Sequence, residues 1–295
     1  MFHVKLSKAN GGGFDNPPVS RETIGHVGFV DFLGAAASVC AALRTFTVWS
    51  KPVTPEGEAL LLSAALPLGL DLQPHMMVFR QLQAALLEGN TRINLTSITA
   101  EREIILKHFI DSLGCLQGGW LNGSTPLVDL GTGAGFPALP LAIIKPELPI
   151  LAVDATAKKI EFVTRTAQTL KLGNVRGLAA RAEELGRNAA HRGQHDRVVM
   201  RAVAALPVLA ELALPLLREG GLLIAQKGQL SDAEYQAGRE AAEMLGGELF
   251  HVEHYHLPVS NDARSIAIFR KIRATPELYP RRSGVPNKKP LVDNS

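Results

Sequence analysis

Apolar side chains return at intervals of three and four between Glu56 and Glu88, at Leu60, Leu61 and Ala64 and again at Met76, Met77, Phe79, Leu82 and Leu86. That period places them on one face of a helix, and Gly69 and Pro74 divide the stretch into two helices. After Asn94-Leu95-Thr96-Ser97, Thr99 is the expected N-cap of a third helix, with Glu101 and Glu103 well placed in its first turn. Ile104, Ile105, His108, Phe109 and Leu113 form the packing face of that helix. Beyond Gly123 the pattern shortens. Pro126 to Leu130, Ile150 to Asp154, Asn174 to Ala179, Arg197 to Arg201 and Gly221 to Lys227 read as strands, and helical stretches over 136–144, 157–170, 206–217 and 231–245 separate most of them. This alternation predicts an α/β fold with a parallel sheet. The last two strand-like runs, Glu248 to Leu257 and Ser265 to Lys271, are joined by Pro258 to Arg264, too short for a helical crossover, so one of them runs antiparallel.

The chain therefore divides into an extension over 1–54, a helical cap over 55–119, an α/β core over 120–271 and a tail over 272–295 that packs on the core or extends it. The extension, with Gly11-Gly12-Gly13 and Asn16-Pro17-Pro18, has the texture of a poorly ordered segment and is assigned no role. Its apolar run Val27 to Leu43 is interrupted by Asp31 and falls short of the roughly 20 residues of a membrane span, so no membrane partner is expected.

With 46% apolar and 20% charged residues, the chain is neither a disordered nor a collagen-like protein. Its two cysteines, Cys40 and Cys115, cannot form a disulfide framework or a CxxC zinc site, which fits a reducing compartment. The net charge of +3 conceals an asymmetry: from Arg270 onward seven basic residues face two acids, while the first 269 residues are slightly acidic. A basic end on an acidic body suits a polyanionic partner. Of His251, His254 and His256, only the last two share a face of their predicted strand, so no metal is expected there.

Asp129-Leu130-Gly131-Thr132-Gly133-Ala134-Gly135 follows a strand and opens a helix, the context in which a glycine loop carries meaning. A dinucleotide fingerprint needs its third glycine at position 136, where this chain has Phe136. The observed spacing instead favours S-adenosylmethionine, whose ammonium group can be met by an acid at the strand end, here Asp129. Pro137, just inside the helix, supports its start. A second strand ends in Asp154, 19 residues after Gly135, where a carboxylate can accept both hydroxyls of a ribose. Arg181-Ala182-Glu183-Glu184, after the third strand, is either a border for the adenine or a helix start with acids against its dipole. Five parallel strands, a sixth and an antiparallel seventh form the Rossmann-like sheet of class I S-adenosylmethionine-dependent methyltransferases.

In such a sheet the substrate is met at the carboxyl ends of the strands. After the fourth strand the chain reads Arg201-Ala202-Val203-Ala204, with neither the Asn/Asp-Pro-Pro-aromatic run that holds an amino group nor a cysteine for attack on a pyrimidine. A nucleophile with a free lone pair and no proton to lose remains, and guanine N7 qualifies. Arg201 can present its donor fork to guanine O6 or form a salt bridge at the strand end. Lys227 is a second candidate donor, to a phosphate or to solvent. His108 is expected to be packed and hydrogen-bonded, with Asp111 and Ser112 as its partners or at the RNA entrance.

These segments closely resemble the bacterial small-subunit (16S) ribosomal RNA guanine-N7 methyltransferase family, RsmG or GidB. The matching residues are Asn94 to Ser97, His108 to Ser112, Asp129 to Pro137, Arg181 to Glu184, Met200-Arg201-Ala202, Gln226-Lys227-Gly228, and the tail from Thr275-Pro276 through Tyr279-Pro280-Arg281-Arg282-Ser283-Gly284-Val285-Pro286. The resemblance spans residues 55 to 291. It implies methyl transfer from S-adenosylmethionine to N7 of one guanine in the decoding region of 16S rRNA, in the cytoplasm, on the rRNA or the small subunit. Gly131, Phe136, Ala182, Glu183 and Arg201 map onto cofactor-binding positions, beside Asp129, Gly133, Gly135 and Asp154 from the motif itself. Arg281, Arg282, Lys288 and Lys289, with Lys227, are the expected RNA contacts, so loss of the tail from Thr275 is expected to cost RNA affinity and not cofactor affinity. A methyltransferase for another RNA, a small molecule or a protein, and a non-catalytic binding module, are the competing readings.

Overall fold

A computed structural model describes residues 53–201 and 204–293. The extension up to residue 52, including its apolar run, lies outside the described residues, as do Ala202 and Val203.

The cap region holds helices α1 (Pro55–Ala65) and α2 (Met76–Arg92), joined through short 3₁₀ turns at Leu66–Leu68 and Gln73–His75. Thr54 caps α1, its hydroxyl accepting the Gly57 amide at 3.0 Å. Thr99 does not cap the third helix. Ala100 holds that position without a side-chain bond, and Glu101 instead reaches back to the amide and hydroxyl of Thr54 at 2.9 and 2.7 Å. This third helix, α3, runs through Glu101–Glu103, Ile104–Ile110 and Asp111–Leu113, and its middle stretch is π-helical. Phe79 of α2 and Phe109 of α3 meet with ring centroids 5.3 Å apart, both fully buried.

The sheet contains β1 (Leu127–Leu130), β2 (Ile150–Asp154), β3 (Val175–Ala179), β4 (His195–Arg201), β5 (Leu217–Lys227), β6 (Gly247–His256) and β7 (Ala263–Lys271). Their order is β3-β2-β1-β4-β5-β7-β6, and β7 alone runs against its neighbours, as expected of a class I methyltransferase fold. Between the strands lie α4 (Ala138–Ile144), α5 (Ala157–Thr169), α6 (Ala182–Leu185), α7 (Leu206–Ala213) and α8 (Asp232–Met244), and α9 (Val285–Lys288) belongs to the tail.

Alternation along the strands builds two cores. Leu127, Val199, Ile224, Ile266 and Ile268 face α1 to α5, whereas Val128, Val198, Met200, Leu223, Ala267 and Phe269 face α7 and α8. The cap helices share the first of these cores and form one packed layer with α4 and α5.

Some boundaries differ from the sequence pattern. Pro137 sits outside the α-region (φ −91°, ψ 0°) in the capping position of α4, and the helix starts at Ala138. The helix expected to reach residue 217 stops at Ala213, and β5 begins at Leu217 because that residue pairs with His195 of β4.

Candidate active site

The glycine loop is tied down from both sides. The Gly131 and Thr132 amides donate to the Val153 carbonyl at 2.8 and 2.9 Å, and the Gly133 amide donates to Asp154 Oδ2 at 3.1 Å. The second strand thereby sets the position of the loop that follows the first. Gly135 has φ +93°, and a Cβ there would collide with the Leu139 side chain, so only glycine fits. Gly133, at φ +59°, faces open space, which leaves its surface free for a ligand.

Asp129 is buried at the end of β1. Its Oδ2 accepts the Thr132 hydroxyl at 2.6 Å and the Ala138 amide at 2.9 Å, satisfying the first turn of α4. Its Oδ1 is buried with no partner among the described residues. Burial raises the carboxyl pKa to about 6, against the opposing pull of those two hydrogen bonds. An orphaned, partly charged acceptor of this kind fits the ammonium group of S-adenosylmethionine. A cavity of about 220 Å³ opens at the carboxyl ends of the strands and is lined by Gly131, Asp154, Ala182, Glu183 and Met200, among others, whereas Asp129, Gly133, Gly135, Phe136 and Arg201 do not line it. Four of the predicted cofactor residues therefore converge on one space. Asp154, half-exposed there, also accepts the Thr156 amide at 2.8 Å, which fixes its carboxylate. Glu183 borders the cavity, yet its Oε1 accepts the Gly284 amide at 2.7 Å and so holds the tail.

Arg201, at the end of β4, lies under the cap. Its Nη1 donates to the Lys107 carbonyl at 2.8 Å and to Asp111 Oδ2 at 3.1 Å, and its guanidinium carbon is 5.7 Å from the Phe136 ring centroid. The π-helical stretch contributes to this arrangement. Asp111 donates its amide to the carbonyls of Leu106 and His108, where a regular α-helix would use Lys107. The other oxygen of Asp111 accepts Arg264 Nε at 2.8 Å, so one carboxylate joins two arginines. Gln226 Nε2 donates to the Asp111 carbonyl at 2.5 Å and to the Tyr255 hydroxyl at 2.9 Å. His108 stacks on Phe136, with centroids 4.6 Å apart and planes 9° from parallel, and its Nε2 contacts the Thr96 hydroxyl at 2.9 Å. The Asp111 carboxylate thus does not bond the His108 ring, while the Ser112 hydroxyl donates to the His108 carbonyl at 2.5 Å. Burial, with the Arg201 charge, lowers the His108 pKa to about 4. Burial pushes the Cys115 thiol and the Tyr255 phenol upward.

Two expected RNA contacts have partners of their own. Lys227 Nζ pairs with Glu234 at 2.9 Å and donates to the Ala204 carbonyl at 2.5 Å, mostly out of solvent. Arg281 grips Glu211, which is fully buried, through Nε and Nη2 at 2.9 and 2.6 Å. Arg282, Lys288 and Lys289 remain exposed. Sequence reasoning missed Arg264, whose only signal was a basic residue at the start of a strand, and the tail residues Gly284 and Asn287, which also line the cavity. Among the described residues no cluster of three or more His, Cys, Asp or Glu side chains is placed to hold a metal ion, and no helix is long and apolar enough to cross a membrane.

The family described as rRNA small subunit methyltransferase G (GidB) matches residues 76–265, more than half of the chain. This chain belongs to that family. The ribosomal RNA small subunit methyltransferase G of Deinococcus deserti is 56% identical over 239 residues, covering 81% of this chain and 98% of that protein. The same-named protein of Deinococcus radiodurans is also 56% identical, over 81% of this chain and 94% of its own length. That of Streptococcus pyogenes serotype M1 is 47% identical, with 70% and 87% covered.

Proposed function

We propose that this chain transfers a methyl group from S-adenosylmethionine to N7 of one guanine in the decoding region of 16S ribosomal RNA, in the cytoplasm. Family membership supports the reaction class and the rRNA substrate. The state of the titratable groups around Arg201 supports the choice of atom. Asp111 is held between two guanidiniums, and a pKa of about 4 makes His108 a poor proton acceptor. Cys115 and Tyr255 stay protonated at neutral pH, as their upward shifts require. Such a site suits a nucleophile that has no proton to lose, and guanine N7 already carries its lone pair.

When bound, S-adenosylmethionine supplies a methyl group activated on a sulfonium. The protein's part is positioning, which can lower such a barrier by about 7 to 11 kcal/mol. Asp129 offers its free oxygen to the ammonium group, and Asp154 accepts from the ribose hydroxyls. Gly131, Gly133 and Gly135 let the loop approach closely, while Ala182 and Glu183 line the walls and Phe136 packs between His108 and Arg201. Arg201 orients the guanine through O6 or holds the cofactor carboxylate, and keeps its charge off N7, where positive charge develops. Arg282, Lys288 and Lys289 meet RNA phosphates from the tail.

Transfer of a labelled methyl group to purified small subunits, naked 16S rRNA, DNA and free guanosine, followed by digestion, tests this reading. Label is expected in 7-methylguanine from the small subunit or its RNA. Label in a pyrimidine, in protein or nowhere would overturn it.

A further inference from the structure

The cavity beside Asp154 is not closed by the sheet and its loops alone. Gly284 and Asn287, which lie beyond the last strand, also line it. Their position is fixed mostly by contacts outside the cavity. Arg281 is clamped on buried Glu211, and Arg192 Nη1 donates to the Tyr279 carbonyl at 2.7 Å. Arg187 Nε donates to the Pro280 carbonyl at 2.8 Å, and the Gly284 amide is held by Glu183. A segment anchored at so many points is a built wall and not a passing contact.

The chemistry of the walls is divided. Leu130, Val153, Met200 and Leu212 give apolar surface, on which a flat heteroaromatic ring packs well. Asp154 belongs to the ribose end, and Glu183 is engaged by the tail. Of the two tail residues that line the cavity among the described residues, Asn287 alone brings a polar side chain. A carboxamide carries a donor beside an acceptor, the complement of an adenine edge, where the 6-amino group lies next to a ring nitrogen.

We propose that Asn287 is a cofactor-binding residue whose carboxamide pairs with the amino edge of the cofactor's adenine, so that the C-terminal tail forms one wall of the methyl-donor site. This rests on reading the cavity as the adenosyl site. It assigns the tail a second task besides RNA contact, and it predicts that cofactor affinity depends on a segment that the glycine-loop motif does not reveal.

The test is calorimetric titration of the full chain with S-adenosylhomocysteine and with its purine-riboside analogue, which lacks the 6-amino group. Wild type, Asn287→Ala and Asp154→Ala are compared. Asn287 is exposed, so its replacement is expected to leave the melting temperature unchanged. Asn287→Ala is expected to weaken S-adenosylhomocysteine roughly five- to tenfold, the effect of removing one hydrogen bond. It should weaken the analogue much less, so that the wild-type preference for the amino group shrinks. Equal weakening of both ligands, or of neither, while Asp154→Ala still loses affinity, would overturn the role of Asn287 and leave the cofactor site standing. Failure of the wild type to bind either ligand, or full affinity in Asp154→Ala, would overturn the adenosyl reading and the proposal with it.

Discussion

Asp129 shows how one side chain can serve both fold and ligand. Its Oδ2 is committed to Thr132 and Ala138, and its buried Oδ1 is not committed to any described residue. With a folded pKa of about 6, above the ordinary 3.8, the native state holds the proton more tightly than the unfolded chain does between those values. Ionisation therefore destabilises the unliganded protein as pH rises through that window. A cationic ligand reverses the preference, because it pairs with the ionised form. S-adenosylmethionine affinity is expected to fall as pH drops from 7 to 5, by at most about tenfold per unit, and Asp129→Asn should flatten the profile. A flat profile in the wild type would remove Asp129 from the ammonium site. His108, with its pKa of about 4, stays neutral across that range and does not obscure the reading. Arg201→Ala is expected to lower turnover sharply, with Lys rescuing only part because it lacks the planar fork. Single-turnover methylation at saturating cofactor should show no ionisation between pH 7 and 9, and wild-type rates in Arg201→Ala would sink the positioning mechanism. The places of Asp129, Asp154 and Arg201 in the fold were legible because each stands at or next to the end of a strand that the pattern predicts. The Asp111–Arg264 bond was not, since it joins residues 153 positions apart.

At the scale of elements, periodicity reported burial well and local geometry less well. The third helix presents the expected face, with Ile104, Ile105, Phe109 and Leu113 fully buried. Its π-helical stretch escaped because bonds to the fifth preceding residue leave nearly the same side chains on that face. The early start of β5 escaped because Arg218-Glu219-Gly220-Gly221 lacks a strand's apolar alternation and bulges out between Leu217, which pairs with His195, and Leu222, which pairs with Arg197. Gly89 gives a test in which propensity and packing disagree. Within a helix, replacing glycine by alanine favours folding by about 1 kcal/mol. Here the added Cβ would come within 2.6 Å of Phe162 Cε2 and 2.9 Å of Leu95 Cδ1, in the seam between α2 and α5. Overpacking of this kind costs about 1 to 3 kcal/mol, so Gly89→Ala is expected to lower the urea midpoint without changing the slope. A raised midpoint would mean that Phe162 yields at little cost and that propensity governs the site.

For the whole molecule, the charge pattern set the last residues apart without showing what holds them. A run of basic residues suggests a polyanionic partner, and sequence cannot show that Glu211, buried in α7, claims Arg281. Nor does it show that Gly284 and Asn287 reach the cavity, so deleting the tail from Thr275 is now expected to cost cofactor affinity as well as RNA affinity. Point variants separate the two tasks. Arg281→Met leaves the Glu211 carboxylate buried without its partner, a change that costs about 3 to 5 kcal/mol, and it should loosen the tail and weaken the cofactor together. Replacing Arg282, Lys288 and Lys289 by Gln removes three exposed charges and disturbs none of the contacts that anchor the tail. Each phosphate that is no longer neutralised is expected to reduce the slope of log affinity against log salt by about 0.7 to 0.9. Fluorescence anisotropy with labelled rRNA at salt concentrations from about 50 to 200 mM, run beside cofactor calorimetry, reads both quantities. The triple variant should bind RNA with a shallower salt slope and the cofactor with unchanged affinity. An unchanged slope would mean that these charges do not touch RNA and that the tail serves the cofactor cavity alone.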